Sequence, residues 1–210
     1  VTHASFPRLR HDGRVAHVAL FHSVYGLRPA VVAAADRLRS AGHTVIAPDL
    51  YAGPVADGAD EGFALCEQIG WPVIVRRARQ ALAGMPPEAV LAGLSMGASV
   101  AAALLGERPA TAGLLLWHNT GGTDAEKLRP GLPLQLHIAE PDVYEPSAQV
   151  AAWEQSSTDA GAAIRVFRYP GAGHLFTDPG TPDYDGPAAE LTWQRSLSFL
   201  SFLSSLSSAY

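Results

Sequence analysis

The chain has one cysteine, Cys66, which excludes an internal disulfide and leaves no CxxC pair for zinc or redox chemistry. That scarcity suits a reducing compartment, and a cytoplasmic location is expected. No apolar run approaches the roughly 18 consecutive residues of a spanning helix, so no membrane partner is expected. Val1 to Asp12 is broken by His, Pro and Arg and does not read as a secretory signal; the chain does not begin with Met, which leaves room for an upstream segment. Charge is sparse, at 17% of residues with a net charge of -5, and basic residues fall singly or in pairs such as Arg76-Arg77. No concentrated positive face results, so nucleic acid is not an expected partner. There is no HExxH and no dense His/Asp cluster, and neither a metal nor another cofactor is expected.

The sequence also lacks internal repeats and long linkers. Its 210 residues, 48% of them apolar, can bury a substantial core, and 1–210 reads as one domain. Short runs rich in Val, Leu and Ile recur at Val15 to Phe21, Thr44 to Ala47, Ala89 to Ala92, Gly113 to Trp117, Leu134 to Ile138 and Ile164 to Phe167. Helical patterns separate them, over Pro29 to Ala41, Trp71 to Ala83, Ser95 to Leu105 and Ala188 to Ser205. This alternation predicts an α/β fold with a mostly parallel sheet of six to eight strands flanked by helices. The Gly- and Pro-containing stretches Ala52 to Gly62, Asn119 to Leu132 and Gly171 to Gly186 follow strands, at the sheet edge where ligands bind in such folds.

One pentapeptide stands out. Gly93-Leu94-Ser95-Met96-Gly97 is a GxSxG string, which composition alone would produce about 0.1 to 0.2 times in a chain this long. Its context adds weight, because a predicted strand leads in and a small-residue helix leads out. A strand, a sharp turn and a helix hold a serine in a strained, exposed position, and the two glycines remove Cβ atoms that would collide. The competing reading is a Gly-rich helix start merely capped by Ser95.

A serine hydroxyl reacts only when a base takes its proton and a third group orients that base. His174, in Tyr169-Pro170-Gly171-Ala172-Gly173-His174, follows the last predicted strand and is the preferred base. His3, His11, His17, His43 and His137 read as structural. The acid is expected after the strand Leu134 to Ile138, in the chain order serine, acid, histidine. Asp142 and Glu140 compete there; Pro141 forces a turn that favours Asp142, and Asp178 would break the order.

Three blocks together resemble the dienelactone hydrolase family of α/β-hydrolases. They are Leu20 to Arg28 with the helix that follows and then Gly42 to Tyr51, the elbow at Ser95, and Pro170 to Phe176. The resemblance covers nearly the whole chain and implies a hydrolase without a large lid domain, with a triad on Ser95, Asp142 and His174. It also implies an oxyanion hole from the backbone N–H groups of Val24 and Met96. The dienelactone-cleaving members carry a cysteine at the elbow and a glutamate in the first-strand loop, where this chain has Ser95 and Ser23. A serine esterase mechanism is therefore expected.

Tyr25, Tyr51, Trp71, Trp117, His118 and Tyr144 flank predicted strand ends and are candidates to line an apolar cleft. Arg28, near the first-strand loop, is a candidate for a substrate carboxylate or for a surface role. The expected substrate is a small ester, lactone or thioester, attacked to give an acyl-enzyme. An amide or carbon–carbon hydrolase with the same triad is the alternative enzyme, and a non-catalytic small-molecule binding protein the alternative class. Monomer and homodimer remain equally open.

Overall fold

The computed structural model describes residues 15–206; Val1 to Asp12, with His3 and His11, lies outside the described residues. The apolar runs form six strands: β1 His17–Phe21, β2 Thr44–Ile46, β3 Val90–Leu94, β4 Leu114–Trp117, β5 Pro133–Glu140 and β6 Ala163–Pro170. All five pairings are parallel, in the order β2-β1-β3-β4-β5-β6. The six helices are α1 Pro29–Ser40, α2 Ala59–Ile69, α3 Trp71–Ala81, α4 Met96–Leu105, α5 Ser147–Asp159 and α6 Gly186–Leu206. The described residues add no large further domain, and none of their helices is long and apolar enough to cross a membrane.

Strand periodicity sorts the side chains into two apolar layers. In β1, Ala19 and Phe21 face the layer that holds Ile74 of α3, Val100 of α4 and Trp153 of α5. Val18 and Leu20 face the layer of Leu38 from α1 and Leu200 from α6. β4 repeats the pattern, with Leu114 and Leu116 on the first side and Leu115 and Trp117 on the second. Each such buried leucine contributes about 1.5–3 kcal/mol relative to exposure, so helices on both faces are what the two-sided strands require.

The chain runs from β1 outward to β2 and then crosses back to β3 on the other side of β1. Strand order reverses there, which opens a crevice beyond the carboxyl ends of β1 and β3. β5 and β6 extend beyond the predicted runs, and β1 begins two residues later than its apolar run. Two helices went unassigned from the sequence. α2 starts inside the stretch read as a loop, and α5 buries only Val150, Trp153 and Ser157.

Candidate active site

β3 ends at Leu94 and α4 begins at Met96, leaving Ser95 alone to turn the chain. Its φ of +51° is one that side-chain-bearing residues rarely adopt. Two bonds hold the turn: Ser95 N–H donates to the Trp117 carbonyl at 2.8 Å, and Ala98 N–H to the Ser95 carbonyl at 2.8 Å. The glycines on either side are sterically required. A Cβ on Gly93 would run into the Gly97 backbone, and one on Gly97 into the Phe21 carbonyl.

Ser95 Oγ lies 2.9 Å from His174 Nε2. His174 Nδ1 lies 2.8 Å from Asp142 Oδ2 and 3.0 Å from Oδ1. Because an ionised carboxylate only accepts, the hydrogen is on Nδ1 and Nε2 is left to accept from Ser95. Asp142 is itself fixed, since its Oδ1 also accepts the N–H groups of Tyr144 at 2.9 Å and Glu145 at 3.2 Å. All three side chains are buried, yet Ser95 and His174 line a cavity of about 270 Å³. Glu140 instead closes β5 in register with Pro170, and Asp178 pairs with Arg28.

Val24 and Met96 line the same cavity. Met96 opens α4, where N–H groups have no intrahelical acceptor, and the helix end carries partial positive charge. The Val24 segment is braced by His22. That ring accepts the Leu50 N–H on Nε2 at 3.0 Å and donates from Nδ1 to the Ser23 carbonyl at 2.7 Å, which fixes its tautomer. Burial lowers the His22 pKa, so it makes these contacts as the neutral ring. Burial likewise pushes up the carboxyl of Glu145, which accepts from Thr120 beside Asp142.

A model of the dienelactone hydrolase family matches residues 8–204. The chain belongs to the dienelactone hydrolase family. No curated protein matches it. Among solved structures it is similar to a dienelactone hydrolase-like promiscuous phosphotriesterase from metagenomic libraries, at 18% identity over 90% of this chain and 86% of that one, with a TM-score of 0.74. A thermophilic esterase from the Planctomycetes species Thermogutta terrifontis, solved with propionate bound, is 15% identical over 94% and 86%, with a TM-score of 0.61. A hormone-sensitive lipase from a metagenome library is 14% identical over 92% and 78%, with a TM-score of 0.64. At such identities these structures carry the fold, an α/β-hydrolase, and the family is one of hydrolases.

In this dienelactone hydrolase family member the candidate cleft residues divide. Tyr25, Trp71 and Tyr144 line the cavity; Tyr51, Trp117, His118 and Arg28 do not. Trp117 turns away because strand alternation aims it at α6, where it packs 5.6 Å from Trp193 and donates to Ser196 Oγ. Tyr51 is buried beneath the elbow with its hydroxyl 3.4 Å from Met96 Sδ, so it supports the site from below. His118 is fully buried behind His174, its Nε2 2.7 Å from Thr177 Oγ1 and its ring edge-on to Phe176. Burial holds it well below the ordinary histidine pKa. Arg28 stacks 4.8 Å over Tyr25, donates to the Gly180 carbonyl and faces Asp178. Both polar contacts use Nη2, whereas Nη1 is buried without a hydrogen-bond partner among the described residues, and Arg28 is not among the residues that line the cavity. Ser23 also faces away from the cavity, its Oγ accepting the Tyr25 N–H at 3.3 Å.

The cavity includes side chains that the sequence reading missed, among them Phe63 and Cys66 of α2, Asn119 and Asp183. Ala59, Phe63 and Cys66 recur at helical spacing along one face of α2, a signal present in the sequence but masked by the surrounding glycines and prolines. Asp183 lies on a loop and carries no such signal.

Proposed function

We propose that the protein is a serine hydrolase that cleaves a small ester, lactone or thioester through an acyl-enzyme on Ser95. The observation that carries this reading is the unbroken run of hydrogen bonds from Ser95 Oγ through His174 to Asp142 beside an open cavity. As Oγ attacks the acyl carbon, its proton passes to His174 Nε2, and Asp142 stabilises the imidazolium that forms. The N–H groups of Val24 and Met96 receive the negative charge that builds on the carbonyl oxygen. One such donor is worth about 2.7–4 kcal/mol in the transition state.

Collapse of the tetrahedral intermediate breaks the bond to the leaving oxygen or sulfur, which takes the proton from His174. His174 then deprotonates a water that attacks the acyl-enzyme, releasing the acid and restoring Ser95. The serine supports ordinary ester chemistry, and the single cysteine supports a cytoplasmic setting.

The test is labelling by a fluorophosphonate together with turnover of short p-nitrophenyl esters. Wild-type protein is expected to label and turn over, and Ser95→Ala to do neither while melting as before. Undiminished labelling of Ser95→Ala would rule the nucleophile out.

A further inference from the structure

The cavity beside Ser95 contains a carboxylate and no Lys or Arg. Asp183 Oδ2 accepts the Leu175 N–H at 2.9 Å, and Asp183 forms no ion pair among the described residues. Arg28 lies over the Tyr25 ring with Nη2 turned to Asp178 and the Gly180 carbonyl, and it is not among the residues that line the cavity. The carboxylate is pressed against the loop that carries His174, since a Cβ on Gly173 would lie 2.6 Å from Asp183 Oδ1.

Four aromatic side chains, Tyr25, Phe63, Trp71 and Tyr144, line the same cavity. The Phe63 and Tyr144 rings are 5.9 Å apart and tilted by 56°, and Tyr144 meets His174 edge-on at 4.7 Å. Burial raises the Tyr25 phenol pKa, Tyr144 adds to the rise, and the charge of Arg28 opposes it while Asp183 reinforces it, so both Arg28 and Asp183 act on that ring. Ring faces attract a partly desolvated cation, most strongly where an anion stands beside them. A substrate carboxylate in the same space would face repulsion from Asp183, with no Lys or Arg on the cavity wall to offset it.

We propose that this cavity takes the ammonium group of a cationic ester or thioester and disfavours anionic substrates, with Asp183 as the specificity-determining residue. The proposal rests on the reading of this cavity as the substrate site of Ser95. Its test needs no turnover. Trp71 is the half-exposed tryptophan on the cavity wall, whereas Trp117, Trp153 and Trp193 are buried, so its fluorescence reports occupancy.

Phenyltrimethylammonium, its uncharged isostere tert-butylbenzene and benzoate are titrated against wild-type protein and Asp183→Asn, which keeps an oxygen acceptor for Leu175. The ammonium is expected to bind about tenfold tighter than its isostere, and benzoate weakest. In Asp183→Asn the ratio of ammonium to isostere affinity is expected to fall about fivefold or more. Equal wild-type affinities for the two isosteres, or a ratio unchanged by the substitution, would overturn the proposal. Should Asp183→Asn not fold, the wild-type comparison decides alone. Lost ammonium preference with Ser95 still labelled by fluorophosphonate defeats this inference only, whereas preference without labelling defeats the hydrolase reading only.

Discussion

Ser95 Oγ lies 2.9 Å from His174 Nε2, and Ser196 Oγ lies 3.3 Å from His137 Nε2, so the described residues include two buried serine–histidine side-chain contacts. They differ in everything around that contact. At the first, Asp142 holds the Nδ1 hydrogen and leaves the Nε2 lone pair for Ser95. At the second, Gln135 Oε1 takes the Nε2 hydrogen at 2.9 Å, and Tyr169 donates to Nδ1 at 2.8 Å while accepting from Arg195. No lone pair faces Ser196, no carboxylate stabilises an imidazolium, and burial lowers the His137 pKa to about 3, with the Arg195 charge adding to it. Proximity of serine to histidine is therefore not a catalytic arrangement by itself. The carboxylate, the strained elbow and the adjoining cavity separate the two.

Asp142→Asn gives the largest break in this comparison short of removing Ser95 itself. It should leave the fold intact but favour the wrong tautomer of His174, lowering kcat by about 10⁴-fold in steady-state ester hydrolysis. The elbow is the next point of failure. Gly97→Ala forces a methyl against the Phe21 carbonyl, and urea denaturation should show a loss of at least about 3 kcal/mol.

The resting histidines give a pH signature of the opposite region. His137 has a folded pKa of about 3 against roughly 6.5 unfolded, so the unfolded chain binds a proton that the native state refuses. Its contribution is fully present above about pH 6.5 and is lost as pH falls toward 3, the loss reaching about 2 kcal/mol by pH 5. His22 and His118, also lowered by burial, act in the same direction. Urea midpoints between pH 7 and 5 should fall accordingly, and a flat profile would contradict the neutral assignment. The smallest effect is expected at Ser196→Ala, where kcat/KM for the same ester should stay within about threefold of wild type.

The sheet was legible because parallel strands buried on both faces read as continuous apolar runs, as Leu114-Leu115-Leu116-Trp117 does. The elbow was legible because a strand, a GxSxG turn and a helix are all local. What sequence could not supply was direction. Trp117 and His118 both sit at the end of β4, yet strand alternation buries one against α6 and backbone turning, with φ of +69°, buries the other behind His174. Arg28 was placed near the right loop, but its engagement by Asp178 depends on a contact 150 residues away in sequence. α5 escaped notice because its few buried residues leave no apolar stripe, and Asp183 because loop position becomes visible only once the sheet has assembled.

The account turns on a covalent bond at Ser95, and rapid-quench intact-mass analysis during p-nitrophenyl acetate hydrolysis tests it most directly. One acetyl group should accumulate on the wild-type chain, map to the peptide that contains Ser95 and be absent from Ser95→Ala. An acetyl group on any other residue that forms and decays at the turnover rate, or hydrolysis that persists in Ser95→Ala, would contradict it.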